Sequence, residues 1–243
     1  MTGALSWEQV LIAVAAAVVA AAIQGSIGFG FSLVVVPTLT LIEPRLLPAA
    51  ILLVALPMTI FLTYRERHAV DLRGLALTSA GRIFGTGAGL WLLTIVPDDD
   101  LAVLMGSIIL VAVVVSAFAP DFESRSGAHL SAGVASGVMG TAAALGGPPL
   151  ALAYQSRPGP VLRATLSASF VIGALMSLTG LLIVGRIDGS HARLAVELLP
   201  GVALGLWLSK RTIHLLDRRW LRPAILIFAG AAGIVTVVTG ISA

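Results

Sequence analysis

Residues 25–37 read GSIGFGFSLVVVP, and residues 137–149 read GVMGTAAALGGPP. Each stretch lies inside an apolar run, 9–42 and 128–156, that is too long for a single membrane crossing. Their 34 and 29 residues would make straight helices of roughly 50 and 44 Å, against a hydrocarbon core of about 30 Å. Glycines cluster near the middle of both runs, and Pro148-Pro149 cannot continue an unbroken helical ladder. Each run is therefore expected to form two shorter helices joined within the membrane.

The same two stretches announce an internal repeat. Gly25, Gly28 and Pro37 match Gly137, Gly140 and Pro149 at a constant offset of 112. Val70-Asp71 resembles Ile187-Asp188 at offset 117, and Gly89-Leu-Trp-Leu92 recurs as Gly205-Leu-Trp-Leu208 at offset 116. The order is kept, so the chain reads as two homologous halves, 1–120 and 121–243. Six further apolar runs, at 46–63, 74–96, 101–119, 161–185, 192–209 and 221–241, fit one crossing each. Each half is thus a broken, hairpin-like, glycine-rich first element followed by three transmembrane helices.

Composition agrees with an all-α polytopic membrane protein. Of 243 residues, 58% are hydrophobic and 11% charged, against roughly 25% charged in a soluble domain. Mean hydropathy is +1.02. A soluble domain of this size cannot hide that much apolar surface. There is no cysteine, which excludes a disulfide scaffold, thiolate catalysis and Cys-ligated metal. The pI near 10.2 does not point to nucleic acid, because the basic residues are scattered along short loops and record topology instead. No Lys or Arg precedes the first apolar run, so no cleaved signal peptide is expected.

The charges separate parallel from inverted halves. With one crossing per long run, the basic residues divide six against eight between the two sides, with Arg82 inside a span, and no orientation is preferred. If each long run instead returns to the side it entered from, Arg65, Arg67, Arg73, Arg125, Arg157, Arg163, Lys210, Arg211, Arg218, Arg219 and Arg222 share one side. The other side keeps Arg45, Arg186 and Arg193. Eleven against three satisfies the positive-inside rule. The halves are then inverted repeats, and both termini lie on the periplasmic side.

Inverted halves with broken helices are a plan of secondary transporters. A break frees backbone N–H groups and a positive half-dipole, which lipid does not tolerate but a polar anion cavity does. Gly25, Ser26, Gly28 and Gly30 in one half, and Gly137, Gly140, Thr141, Gly146 and Gly147 in the other, are the candidate substrate-binding positions. Close helix packing is the alternative role for these glycines. Gln24 and Gln155 flank the breaks; each meets either a substrate oxygen or a neighbouring helix. Arg82, between Ser79-Ala-Gly81 and Gly85, is either a fork for an oxyanion or a side chain snorkelling to the interface. Glu197 is the proton-coupling candidate, with pairing to Arg82 and an interfacial position as its other readings. His68, His129, His191 and His214 sit at loop edges, and no metal site or cofactor is expected. No catalytic constellation emerges: there is no HExxH, GxSxG or P-loop.

The G-x-x-G-F-G of the first half, with its later proline, and residues 140–155, GTAAALGGPPLALAYQ, resemble the sulfite exporter TauE/SafE family, the sulfite and sulfonate permease group. The resemblance implies a transporter of the bacterial cytoplasmic membrane whose substrate is a small anion such as sulfite, sulfoacetate or another organosulfonate. Lipid is then the surrounding partner and nucleic acid is not one; assembly as a homodimer is left open. A passive anion channel and a lipid-handling membrane protein are the rival readings.

Overall fold

The computed structural model describes residues 5–118, 126–212 and 218–242. The N-terminus at 1–4, Arg125 and His214 lie outside the described residues. Ten α-helices and no strand occur among the described residues. The first half supplies α1 (Trp7–Ile27), α2 (Phe31–Ile42), α3 (Ala49–Glu66), α4 (Leu72–Ile95) and α5 (Leu101–Phe118). The second supplies α6 (Ser126–Ala143), α7 (Gly147–Ala153), α8 (Gly159–Ile183), α9 (Gly189–Thr212) and α10 (Arg218–Ser242). Among the described residues, five helices (α1, α3, α8, α9 and α10) are long and apolar enough to cross a membrane. The 24 residues of α4 are also long enough, but Arg73, Arg82 and several glycines dilute their hydropathy.

Both overlong runs are broken. A capping box opens α1: Gln9 N–H donates to Ser6 Oγ, and Ser6 N–H to Gln9 Oε1. The helix stops at Gly28, whose φ of +99° is open to glycine at little strain. Gly30, at φ +117°, opens α2. In the second half Ala144 takes a positive φ of 56°, and Gly146 opens α7. Pro148 and Pro149 occupy the first turn of α7, where a missing N–H breaks no ladder bond. The left-handed residues that directly follow α1 and α6, Gly28 and Ala144, are 116 positions apart (144 − 28). That is one helical turn away from the glycine match at 112 and in step with the later matches at 116 and 117.

Each broken element folds back on itself, α2 against α1 and α7 against α6. The largest helix contacts are α4 on α6 and α1 on α9. Both pairs run parallel and are close because glycine removes the Cβ. A Cβ on Gly85 would collide with the Val134 carbonyl, and one on Gly205 with the Val18 carbonyl. In contrast, α5 and α10 are antiparallel, with Gly240 beside Val103 and Gly106 beside Val237. The α3–α8 pair is antiparallel too, since Glu66 at the end of α3 meets Arg163 near the start of α8.

Polar side chains gather at two ends. Arg163 Nε holds both oxygens of Glu66 at 3.0 Å. Arg65 donates to Glu66 at 3.0 Å, and Arg157 lies 3.9 Å from Asp71. At the opposite end Arg45 lies 3.6 Å from Asp99, and the Arg45 carbonyl is 3.3 Å from His191 Nε2. Asp188 there caps α9, accepting from the hydroxyl and N–H of Ser190, which hold its carboxyl down to about 2.

Candidate functional site

The two breaks face each other across a cavity of about 50 Å³. Gln24, Gly30, Phe31, Ser32 and Leu33 wall it from the first break, and Gly140, Ala144, Gly146, Gly147 and Pro148 from the second. Leu52, Ala55, Met58 and Thr59 of α3, with Phe170 and Ala174 of α8, complete the wall around Arg82 of α4. About 10–15 Å³ of such space holds one water, so the cavity suits a compact ligand of a few heavy atoms.

Arg82 is the charge in this wall. It is only 4% exposed and does not snorkel to an interface. Its Nη1 donates to Ser136 Oγ at 2.9 Å, and that hydroxyl in turn donates to the Gly146 carbonyl at 2.7 Å. The guanidinium is therefore oriented by the bend of the second break. Its Nε has no hydrogen-bond partner. An uncommitted cationic N–H in a buried site is costly unless something completes it. Gly173 of α8 makes the space: a Cβ there would coincide with the guanidinium. A Cβ on Gly140 would come within 2.7 Å of Arg82 Nη2.

The two helix starts are unequal as anion sites. The first turn of α2 carries N–H groups without intrahelical acceptors, and Gln24 Oε1 satisfies one of them, on Phe31, at 3.1 Å. The first turn of α7 loses two donors to Pro148 and Pro149. On that side of the cavity the Arg82 fork supplies the donors that the backbone lacks.

Of the sequence candidates, Gln24, Gly30, Arg82, Gly140, Gly146 and Gly147 thus share one cavity. The others sit elsewhere. The Gly25 carbonyl accepts from Arg65 Nη2 at 2.8 Å, and its Cα faces Ser209. Ser26 Oγ returns to the Ala22 carbonyl. Gly28 packs on Arg163, where an added Cβ would fall 2.7 Å from Cγ. Gly137 packs on Gly85, and Thr141 is bonded to Ser177 at 2.7 Å. Gln155 lines a second cavity of about 290 Å³ with Arg157 and Gly159. Glu197 pairs with Arg193 at 2.8 Å on α9 and is not in the cavity wall. Ser136 and Gly173 were not singled out from the sequence. The one legible signal for Gly173 is a stripe of small residues on α8 at Ser169, Gly173 and Ser177; Ser169 lies by Thr78 of α4 and Gly173 by Arg82.

The 290 Å³ cavity shares the wall residues Gly30, Leu33 and Pro148 with the central one, so it lies next to the central site on the side of the Arg157 end. A cavity of about 250 Å³ at the other end, lined by Arg45, Arg186, Asp188 and His191, shares no residue with it.

A multi-pass helical membrane protein with a buried cation between two helix breaks is the class that fold and site define. The family model for sulfite exporter TauE/SafE matches residues 13–236. The chain belongs to that family, whose members are membrane transporters and not enzymes. Comparison with curated proteins and with solved structures returns no match.

Proposed function

We propose that the protein is a secondary transporter that carries a small oxyanion, sulfite or an organosulfonate, across the bacterial cytoplasmic membrane. The carrying observation is Arg82, buried between the two breaks in the cavity wall with its Nη1 held by Ser136 and its Nη2 unpaired. An oxyanion in the cavity meets Nη2 and the free N–H groups that open α2. The family match supports an anionic substrate.

The halves act as inverted repeats in this reading. Three facts support it. Each half breaks its first element at the same relative place. The counterpart pairs α3/α8 and α5/α10 pack antiparallel. The first element of each half packs on the fourth helix of the other, α1 on α9 and α6 on α4. Rocking of the halves would expose the central site to one end and then to the other. The Arg157 end is cytoplasmic by the charge bias, so the cavity adjoining the central site lies on the cytoplasmic side in this reading.

Proteoliposomes containing the purified chain are expected to show saturable flux of labelled sulfite that unlabelled sulfonates inhibit. Flux linear in concentration up to high substrate would indicate a channel and overturn the carrier reading. The chain has no native cysteine, so orientation is read from single substitutions. Asp188→Cys should react with an impermeant thiol reagent in intact spheroplasts, and Arg67→Cys only after lysis. The reverse pattern contradicts the orientation.

A further inference from the structure

We propose that the central cavity selects by charge as well as by shape: it takes one monovalent oxyanion and rejects divalent anions of the same size. The proposal rests on the reading above that this cavity binds the anion, and it names the charge state that the wall accepts.

The composition of the wall carries it. Among its lining residues Arg82 is charged, and the rest are neutral: glycines, alanines, leucines, Pro148, Phe31, Phe170, Met58, Gln24, Ser32 and Thr59. The hydrogen-bond partner of the guanidinium, Ser136, is also neutral, and its proton is already given to the Gly146 carbonyl. Nothing in the wall therefore offsets the cation before a ligand arrives. The Ser136 contact uses Nη1, and Nε is sealed off with Gly173 packed against it, which leaves the Nη2 edge for the ligand. A cationic N–H donor on that edge matches an oxygen of one sulfonate or hydrogensulfite group.

A single negative charge on that edge brings the buried site to neutrality. A second negative charge finds no second cation in the wall and has to be buried uncompensated. Burial of an unpaired charge in a low-dielectric interior is far more costly than any contact a compact anion adds. The neutral donors available to it, the α2 N–H groups, moderate that cost without cancelling it; the Thr59 hydroxyl is already given to the Ala55 carbonyl. The cavity volume of about 50 Å³ leaves little room for an escort cation or a retained hydration shell.

The test is binding to the purified full chain in detergent, by calorimetry, with methanesulfonate as monovalent probe and sulfate as divalent probe. Methanesulfonate is expected to bind at least roughly tenfold more tightly than sulfate, because the charge penalty exceeds the 1.4 kcal/mol that one decade represents. Sulfite supplies an internal control, since it loses its remaining proton near neutral pH. Its apparent affinity should fall as pH is raised through neutrality, while that of methanesulfonate stays constant. Arg82→Gln should weaken methanesulfonate and abolish the preference over sulfate. Sulfate binding as tightly as methanesulfonate in the parent, with both weakened by Arg82→Gln, would overturn the charge rule and leave the anion site standing. Binding of both anions unchanged by Arg82→Gln, or no binding of sulfite or either probe, would remove the cavity reading itself.

Discussion

Arg82→Gln is expected to weaken binding of the transported anion by roughly 10- to 100-fold while the protein still inserts and folds. The substitution keeps a polar side chain but shortens it by two atoms, so it removes the charge, the Nη donors and the Ser136 contact. A charge-assisted hydrogen bond is worth about 1.5–3 kcal/mol, and each 1.4 kcal/mol is a decade of affinity. Arg82→Lys should fall between parent and Gln, because it restores the charge without two parallel donors. Isotherms on purified protein read this independently of expression. Equal affinity in all three proteins would take Arg82 out of the site and leave the start of α2 as its anion-binding device.

Gly173→Ala should produce a loss approaching that of Arg82→Gln, although Gly173 offers the ligand no polar side chain. The added Cβ occupies the place of the guanidinium, so the side chain of Arg82 must leave its position over α8. Displacement breaks the Ser136 contact and misaims Nη2. Coupling separates this from simple overpacking, which destabilises by typically 1–3 kcal/mol. In an Arg82→Gln background the further loss from Gly173→Ala should shrink, since the group it displaces is gone. Gly180→Ala is the packing control on the same helix: its Cβ meets the side chain of Leu90 and nothing in the cavity. It should lower thermal stability without lowering affinity. Additive losses for Gly173→Ala and Arg82→Gln would mean that Gly173 acts through packing alone.

The helical membrane class and the two breaks were legible because they depend on one-dimensional quantities. A 34-residue apolar run exceeds the membrane, and glycines and prolines mark where it bends. Which glycine does what was not legible. Gly25, Gly28 and Gly30 lie within six residues, yet one faces Ser209, one Arg163 and one the cavity. A helix turns about 100° per residue, and the break adds a reversal, so spacing alone does not say which neighbour each Cα meets. Arg82 posed the same difficulty: nine residues into a run, it fits an interface as well as a core. The counter-surface decides, and Gly173 lies 91 residues away in sequence (173 − 82). Glu197 shows the converse. A carboxylate in a span suggested coupling to a proton, whereas one turn earlier Arg193 pairs with it along the same helix.

The asymmetry of the two breaks was likewise open to a sequence reading but hidden by the glycine match. Aligning Gly28 with Gly140 makes the motifs look alike. The backbone instead sets Gly28 against Ala144 and the N–H-rich start of α2 against the proline-rich start of α7. A site built on two equal helix dipoles needs no arginine. A site with one depleted helix start gains from a fixed cation on that side, which is where Arg82 lies.

Anomalous diffraction from crystals grown with selenite, the heavier congener of sulfite, locates the bound anion directly. A selenium peak is expected between the two breaks, with an oxygen in hydrogen-bonding distance of Nη2 of Arg82. A peak only in the outer cavity beside Arg45 and Arg186, with the central cavity empty, would contradict a binding site at the helix breaks.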